Sequence, residues 1–406
     1  MAQNNLPNTG QFFVNARGNR NHVRHYHLAA VSDVAGSLFF FHGYGGHANL
    51  KAYGAFAEAL VAATGVRAVR IKHFGWKPKT RTGKYYNRNR AIPWETKSCE
   101  TAFDWRKHHP STCNDVHALP FLPDLPKPVA AGTFRVVWRT FDPASKKKMA
   151  LKTLHYHADW TEDLLDRHRR DALVLSELAS SAHSLNAYGW CAHTSLVEYA
   201  KGGDLLAGMN RLRSKLLPME VLKVAVDVAS GVAEAHLFVD GMATLAHADL
   251  KPEQFLLADG VYKINDFNCC RFLTRSRGNA TEACPFQKED KWKGRYRSPE
   301  ELNGKNMTEK IDVFALGGIL YYVLTGKKPF ALDAGPKKKG LYDKIRDGDL
   351  PFIPSHLQNS THPAFDVIFQ SIQKCWAFRP EDRPSSKQIH LSLLRVQKKL
   401  ELRAHQ

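Results

Sequence analysis

The chain has 406 residues, 58 Lys and Arg against 39 Asp and Glu, a formal net charge of +19, and 43% hydrophobic residues. That length predicts two or three domains with ample apolar material for a core, and the composition excludes wholesale disorder. The longest apolar stretch, Phe314 to Leu324, is shorter than the roughly 18–20 residues that span a bilayer, so the expectation is a soluble chain with no membrane span.

The N-terminus, MAQNNLPNTGQFFVNARGNRNHVRHYH, is polar and basic without an apolar core. It predicts no secretory signal, which places the chain in the cytoplasm, with the nucleus as the alternative compartment. The 7 cysteines are scattered without a CxxC pair, which argues against a disulfide framework and a zinc site. A strand at Leu38–Phe41, an HGYGG turn and a helix from about Leu50 to Thr64 make an α/β segment within 1–72. From Arg67 to Lys107 basic residues interleave with Phe74, Trp76, Tyr85, Tyr86, Trp94 and Trp105. Cations for phosphates and rings for bases would suit single-stranded nucleic acid. Pro, Gly and Asn punctuate the strip, however, so it reads first as a solvated linker over 73–128 that ends in the proline-rich LPFLPDLPKP.

Beyond residue 129 the pattern becomes regular. Strands are predicted at 136–142, 147–156 and 195–200, and helices at 219–237, 312–326 and 363–376. The first helix carries Val221, Leu222, Ala225, Val228, Val232 and Ala235 on one stripe, which needs a partner surface. Strands followed by helices predict an α+β chain with two lobes.

Five blocks then follow in order: HADLKPEQFLL (247–257), YKINDFN (262–268), RSPEE (297–301), DVFALGGILYYVLTG (312–326) and RPEDRP (379–384). Together they resemble the catalytic core of eukaryotic protein kinases over about 129–400. The resemblance implies a kinase-like bilobal fold, a small β-rich N-lobe and a large helical C-lobe, preceded by an N-terminal α/β extension. It also implies ATP and Mg²⁺ as cofactors, a protein substrate, and phosphoryl transfer to Ser or Thr hydroxyls.

Within that resemblance Asp249 is the acceptor of the incoming hydroxyl proton, and Lys251, one alternation further along an extended segment, balances developing negative charge. Asp266 is the Mg²⁺ ligand, and Gln254 stands where a second metal ligand is expected. MALK (149–152) resembles the strand whose lysine holds the α- and β-phosphates, which assigns Lys152 to them and Ala150 to the adenine face. VEYAKGGDL (197–205) resembles the hinge, with backbone at Glu198 and Ala200 toward the adenine edge and Asp204 toward the ribose. Leu256 is assigned to the nucleotide pocket; Glu300, Arg383 and Asp312 are assigned structural roles.

Departures matter as much. The glycine-rich loop reads AAGTFRVV (130–137), retaining Gly132 and Val137 but placing Ala130 and Arg135 at glycine positions, where a side chain obstructs close approach to phosphate. Ala248 replaces the arginine that would receive an activation-loop phosphate, so control by that route is not expected. Asn268 stands in place of a glycine, an acceptable exchange if φ is positive there. Asp171 takes the position of the Lys152 partner, with Glu177 as a solvent-facing alternative, and KGRYR (293–297) lacks the usual threonine. The alternative reading is therefore a pseudokinase, a nucleotide-binding or scaffold protein.

GSLFFFHGYGGHANLKAYGAFAEALVAATGVRAVRI (36–71) resembles the oxyanion-loop region of α/β-hydrolases of the monoglyceride-lipase type, with His42, Gly43 and Tyr44 near the oxyanion hole. No GxSxG elbow accompanies it, so no acyl-transfer machinery is expected. The positive charge divides between the 67–107 strip and the kinase-like body, as in KKKG (337–340), which points to an acidic or phosphorylated partner ahead of nucleic acid.

Overall fold

The computed structural model describes residues 23–26, 39–42, 128–132, 135–141, 148–155, 161–191, 194–212, 216–239, 241–277, 283–287, 293–333 and 340–404. Two compact units divide the chain: Met1–Asp166 with Ala187–Tyr199, and Arg167–Asn186 with Ala200–Gln406. No helix among the described residues is long and apolar enough to cross a membrane.

In the first unit β1 (Val23–Tyr26) pairs antiparallel with β2 (Phe39–His42), which overlaps the strand expected at Leu38–Phe41. The helix expected from Leu50 to Thr64 and the basic strip at 67–107 lie outside the described residues. Five further strands form one antiparallel sheet in the order β3-β4-β5-β7-β6: β3 (Ala130–Ala131), β4 (Arg135–Phe141), β5 (Lys148–Leu154), β6 (Ala187–Cys191) and β7 (Thr194–Glu198).

Alternation along β4 directs Trp138 onto a core with Met149, Leu151, Cys191 and Leu196, against which Val136 and Tyr188 pack. Burying large apolar side chains of this kind stabilises a sheet by about 1.5–3 kcal/mol each. The Trp138 indole N–H keeps a partner by donating to Thr153 Oγ1 at 3.0 Å. Cys191 is disulfide-bonded, where the scattered cysteines had suggested no bridge, while Cys269, Cys270, Cys284 and Cys375 are free thiols.

The second unit is mainly helical. It takes the chain from the later part of α1 (Glu162–Glu177) through α2 (Leu205–Leu212) and α3 (Pro218–Ala235). Short strands β8 (Leu245–Ala246), β9 (Phe255–Ala258), β10 (Val261–Ile264) and β11 (Arg271–Phe272) frame the central loops. Helices α4 (Pro299–Leu302), α5 (Lys310–Thr325), α6 (Leu341–Arg346), α7 (Ser355–Gln358), α8 (Pro363–Cys375) and α9 (Ser386–Ala404) complete it.

Helix α3 starts at Pro218, whose fixed φ suits a first helical residue, and Glu220 Oε2 accepts the Leu217 N–H at 2.8 Å. All six residues of its predicted stripe are buried, and α5, α8, α9 and β10 supply the partner surface. Asp227, Ser230 and Gly231 are buried too, because this helix is covered on more than one side.

Helix α5 is apolar nearly all round, so close approach decides its packing. A Cβ at Gly317 would stand 2.7 Å from Cys375 Cβ and 2.9 Å from Trp376 Cδ1, at the end of α8. The expected outcome of Gly317→Ala is therefore destabilisation. Overpacking of about 1–3 kcal/mol outweighs the roughly 1 kcal/mol that alanine returns in helix propensity. Urea denaturation should show a lower midpoint at unchanged slope.

Candidate active site

The catalytic-loop motif sits between β8 and β9, and one buried carboxylate fixes its shape. Asp312, in the first turn of α5, accepts the His247 N–H on Oδ2 at 2.6 Å and the Ala248 N–H on Oδ1 at 2.9 Å. His236 Nε2 lies 3.2 Å from Oδ2, and its Nδ1 lies 2.8 Å from Ser386 Oγ in α9. Burial pushes the Asp312 carboxyl upward, but hydrogen bonding and charge from His236 outweigh it and hold the carboxyl below its ordinary value. This anchor supports an unusual backbone. Ala248 has φ 61°, a left-handed conformation that costs a non-glycine residue about 1–3 kcal/mol unless its surroundings impose it. Met307 and Ile311 close over the Ala248 methyl.

The chain then extends, with Lys251 at φ −163° and ψ 164°, and its ammonium comes back to Asp249 Oδ2 at 2.9 Å. Gln254, in a 3-10 turn, donates from Nε2 to the same oxygen at 3.3 Å and lies 3.5 Å from Asp266 Oδ2. The structure thus brings together four residues singled out in the sequence: Asp249, Lys251, Gln254 and Asp266. Facing two carboxylates, Gln254 presents its amide N–H; service as a metal ligand would require the oxygen instead.

Arg297, which the motif reading passed over, joins the same group. Its Nη2 donates to Asp249 Oδ1, and its Nη1 donates to Ala248 O at 2.7 Å and to Glu301 Oε1 at 3.1 Å. Burial raises the Asp249 carboxyl, but the Arg297 guanidinium and then the Lys251 ammonium bring it below the usual carboxylate range. For Lys251 burial works downward, and Asp249 overcomes it and raises the ammonium.

The DFN triplet carries a correction. Positive φ falls on Asp266, at 66°, whereas Asn268 lies inside the right-handed 3-10 turn Phe267–Cys269. The chain reverses one step before the turn, so position 268 has no need of the left-handed region. Asp171 in α1 is fully buried and accepts the Phe267 N–H on Oδ1 at 2.7 Å, which fixes the start of that turn. Glu177 is exposed, as expected.

The remaining nucleotide candidates divide between the units. In the first, Lys152 pairs in register with Val137 and Ser195, Ala150 with Val197, and Met149 with Glu198. Gly132 donates its N–H to Arg135 O at 2.8 Å, closing the turn between β3 and β4. In the second, Gly202 N–H donates to Leu257 O at 3.0 Å and Leu257 N–H to Gly203 O at 2.8 Å, so the segment from Ala200 to Asp204 runs beside Leu256. Asp204 Oδ1 accepts the Ala207 N–H at 2.7 Å and caps α2.

Below the loop, Arg383 is paired with Glu300, Nη1 to Oε1 at 2.5 Å and Nη2 to Oε2 at 2.9 Å. The guanidinium also donates to the carbonyls of Ala377, Phe378 and Lys310, and it lies 5.1 Å from the centre of the Phe314 ring. Its donors are satisfied throughout.

Comparison with known proteins agrees with this arrangement. The protein kinase domain family model matches residues 126–392. The chain belongs to the protein kinase family. The chain is 28% identical over 251 residues to the calmodulin-binding receptor-like cytoplasmic kinase 2 of Arabidopsis thaliana, covering 57% of this chain and 60% of that protein. It is 30% identical over 210 residues to mitogen-activated protein kinase kinase kinase 7 of Homo sapiens, covering 50% of this chain and 31% of that one. The chain thus spans less than two thirds of the length of these relatives. The matched region leaves out the hydrolase-like segment at 36–71.

Proposed function

We propose that this kinase transfers the γ-phosphoryl group of ATP to serine or threonine hydroxyls of a protein substrate. The observation that carries the reading is the convergence of Lys251, Gln254 and Arg297 on one carboxylate, Asp249, beside Asp266. A carboxylate oriented by three donors is a general base whose direction is set before substrate arrives. Lys251 remains partly exposed and close enough to meet negative charge developing on the transferred group.

The residues fit a divalent cation of the hard, oxygen-seeking kind through the Asp266 carboxylate, because Mg²⁺ typically takes one or two carboxylates together with phosphate oxygens; Gln254 would join it only with its amide oxygen turned toward the ion. When bound, Mg²⁺ would neutralise phosphate charge. Lys152, Gly132, Val137, Ala150 and Glu198 from the sheet, and Ala200, Asp204 and Leu256 from the helical unit, are assigned to ATP. The net positive charge favours an acidic or phosphorylated protein partner, with nucleic acid second.

A second reading, a nucleotide-binding pseudokinase, draws on a specific observation. The Gly132 N–H is engaged with Arg135 O, and Ala130 and Arg135 occupy positions where glycines would leave the backbone open to phosphate. Purified protein incubated with Mg²⁺, labelled ATP and a generic basic protein separates the two. Label on phosphoserine or phosphothreonine supports the kinase; a raised melting temperature with Mg²⁺ and ATP, without label transfer, selects the pseudokinase.

A further inference from the structure

We infer that Arg297 is a positioning residue that joins the segment preceding α4 to the catalytic loop and holds Asp249 in the orientation the reaction needs. The inference rests on the kinase reading for its catalytic part, and on geometry alone for the join. The Arg297 side chain is 10% exposed and meets three acceptors: the Asp249 carboxylate, the Ala248 carbonyl and the Glu301 carboxylate. A planar guanidinium can reach three acceptors at once; an ammonium has no such fork.

Each acceptor is itself fixed. Glu301 Oε2 accepts from the Ser298 N–H at 2.9 Å and from Ser298 Oγ at 3.2 Å, in a capping box that starts α4. The neighbouring Glu300 is held by Arg383. Ala248 is held left-handed by Asp312, and its carbonyl accepts from Arg297 Nη1. Asp249 is gripped on both oxygens, Oδ2 by Lys251 and Gln254 and Oδ1 by Arg297. Without Arg297 the carboxylate could turn about its Cβ–Cγ bond, and a small misplacement of a reacting group can cost about 10²-fold in rate.

The test uses the full chain with Arg297→Leu and Arg297→Lys. Phosphate transfer is resolved into kcat and KM for ATP, and hydrogen exchange is followed over residues 293–301. For Arg297→Leu we expect kcat to fall about 10²-fold with KM for ATP unchanged, and amides of 293–298 to exchange faster. Arg297→Lys keeps the charge but not the three-way fork, so it should recover part of kcat. If Arg297→Leu does not fold, the lysine variant carries the comparison, with a fall in kcat at unchanged KM expected. An unchanged or increased kcat in either variant would overturn the positioning role, an increase showing that Arg297 obstructs the base. Failure of the unaltered protein to transfer phosphate defeats the kinase reading and the catalytic half of the inference. The join is then decided by exchange: faster exchange in the variants supports it, and unchanged exchange at 293–298 refutes it.

Discussion

Asp249→Asn should lower phosphate transfer by about 10²–10⁴-fold, the usual contribution of a positioned general base. Asparagine keeps the shape of the side chain and an oxygen able to accept from Lys251 or Arg297, so the loop around it should persist. What it loses is the capacity to take the hydroxyl proton. The fall should therefore appear in kcat, with KM for ATP little changed, as expected for an interaction used only in the transition state. Arg297 and Lys251 keep Asp249 ionised, and so able to accept, while lowering its intrinsic basicity. A melting curve close to that of the unaltered protein would confirm that chemistry, not folding, has been removed.

The largest loss of stability is expected at Arg383. Arg383→Met leaves the 4% exposed Glu300 carboxylate without its two charged hydrogen bonds, and breaking one side of a buried ion pair typically costs about 3–5 kcal/mol. Three carbonyl acceptors, on Ala377, Phe378 and Lys310, lose donors in the same substitution. The double variant Glu300→Gln with Arg383→Met should be more stable than Arg383→Met alone, since no unpaired buried charge remains. Urea unfolding of the four proteins in a double-mutant cycle measures this coupling. Equal stability of the single and double variants would count against the pair.

The comparison between sequence and structure follows from how far each physical signal reaches. Helix α3 was legible because its apolar stripe repeats every three to four residues, a local pattern that survives without knowledge of its partners. The approach of Lys251 to Asp249 was legible for a similar reason, since two residues along an extended chain return to the same side. Arg297 was hidden. Its partner Asp249 lies 48 residues earlier, and nothing in KGRYR announces a carboxylate waiting elsewhere in the fold. Asp171 was singled out in the sequence, but its bond to the Phe267 amide 96 residues away was hidden in the same way.

Backbone handedness was legible only in part. An asparagine at 268 suggested a left-handed residue there, but around the catalytic residues the positive φ values fall on Ala248 and Asp266, and alanine gives no hint of one. Asp312 supplies the missing cause at Ala248, because it binds the two successive amides of His247 and Ala248 and imposes the turn between them. Gly317 in α5 was visible as a residue, but its purpose became clear only through the nearby Cys375 and Trp376 side chains.

The most direct test of phosphoryl transfer is a single-turnover measurement with labelled ATP and Mg²⁺, comparing the unaltered protein with Asp266→Ala. Time-dependent label on Ser or Thr with the unaltered protein, reduced to background by Asp266→Ala, is the predicted result. Label transfer that proceeds equally in both proteins, or in neither, would contradict the account.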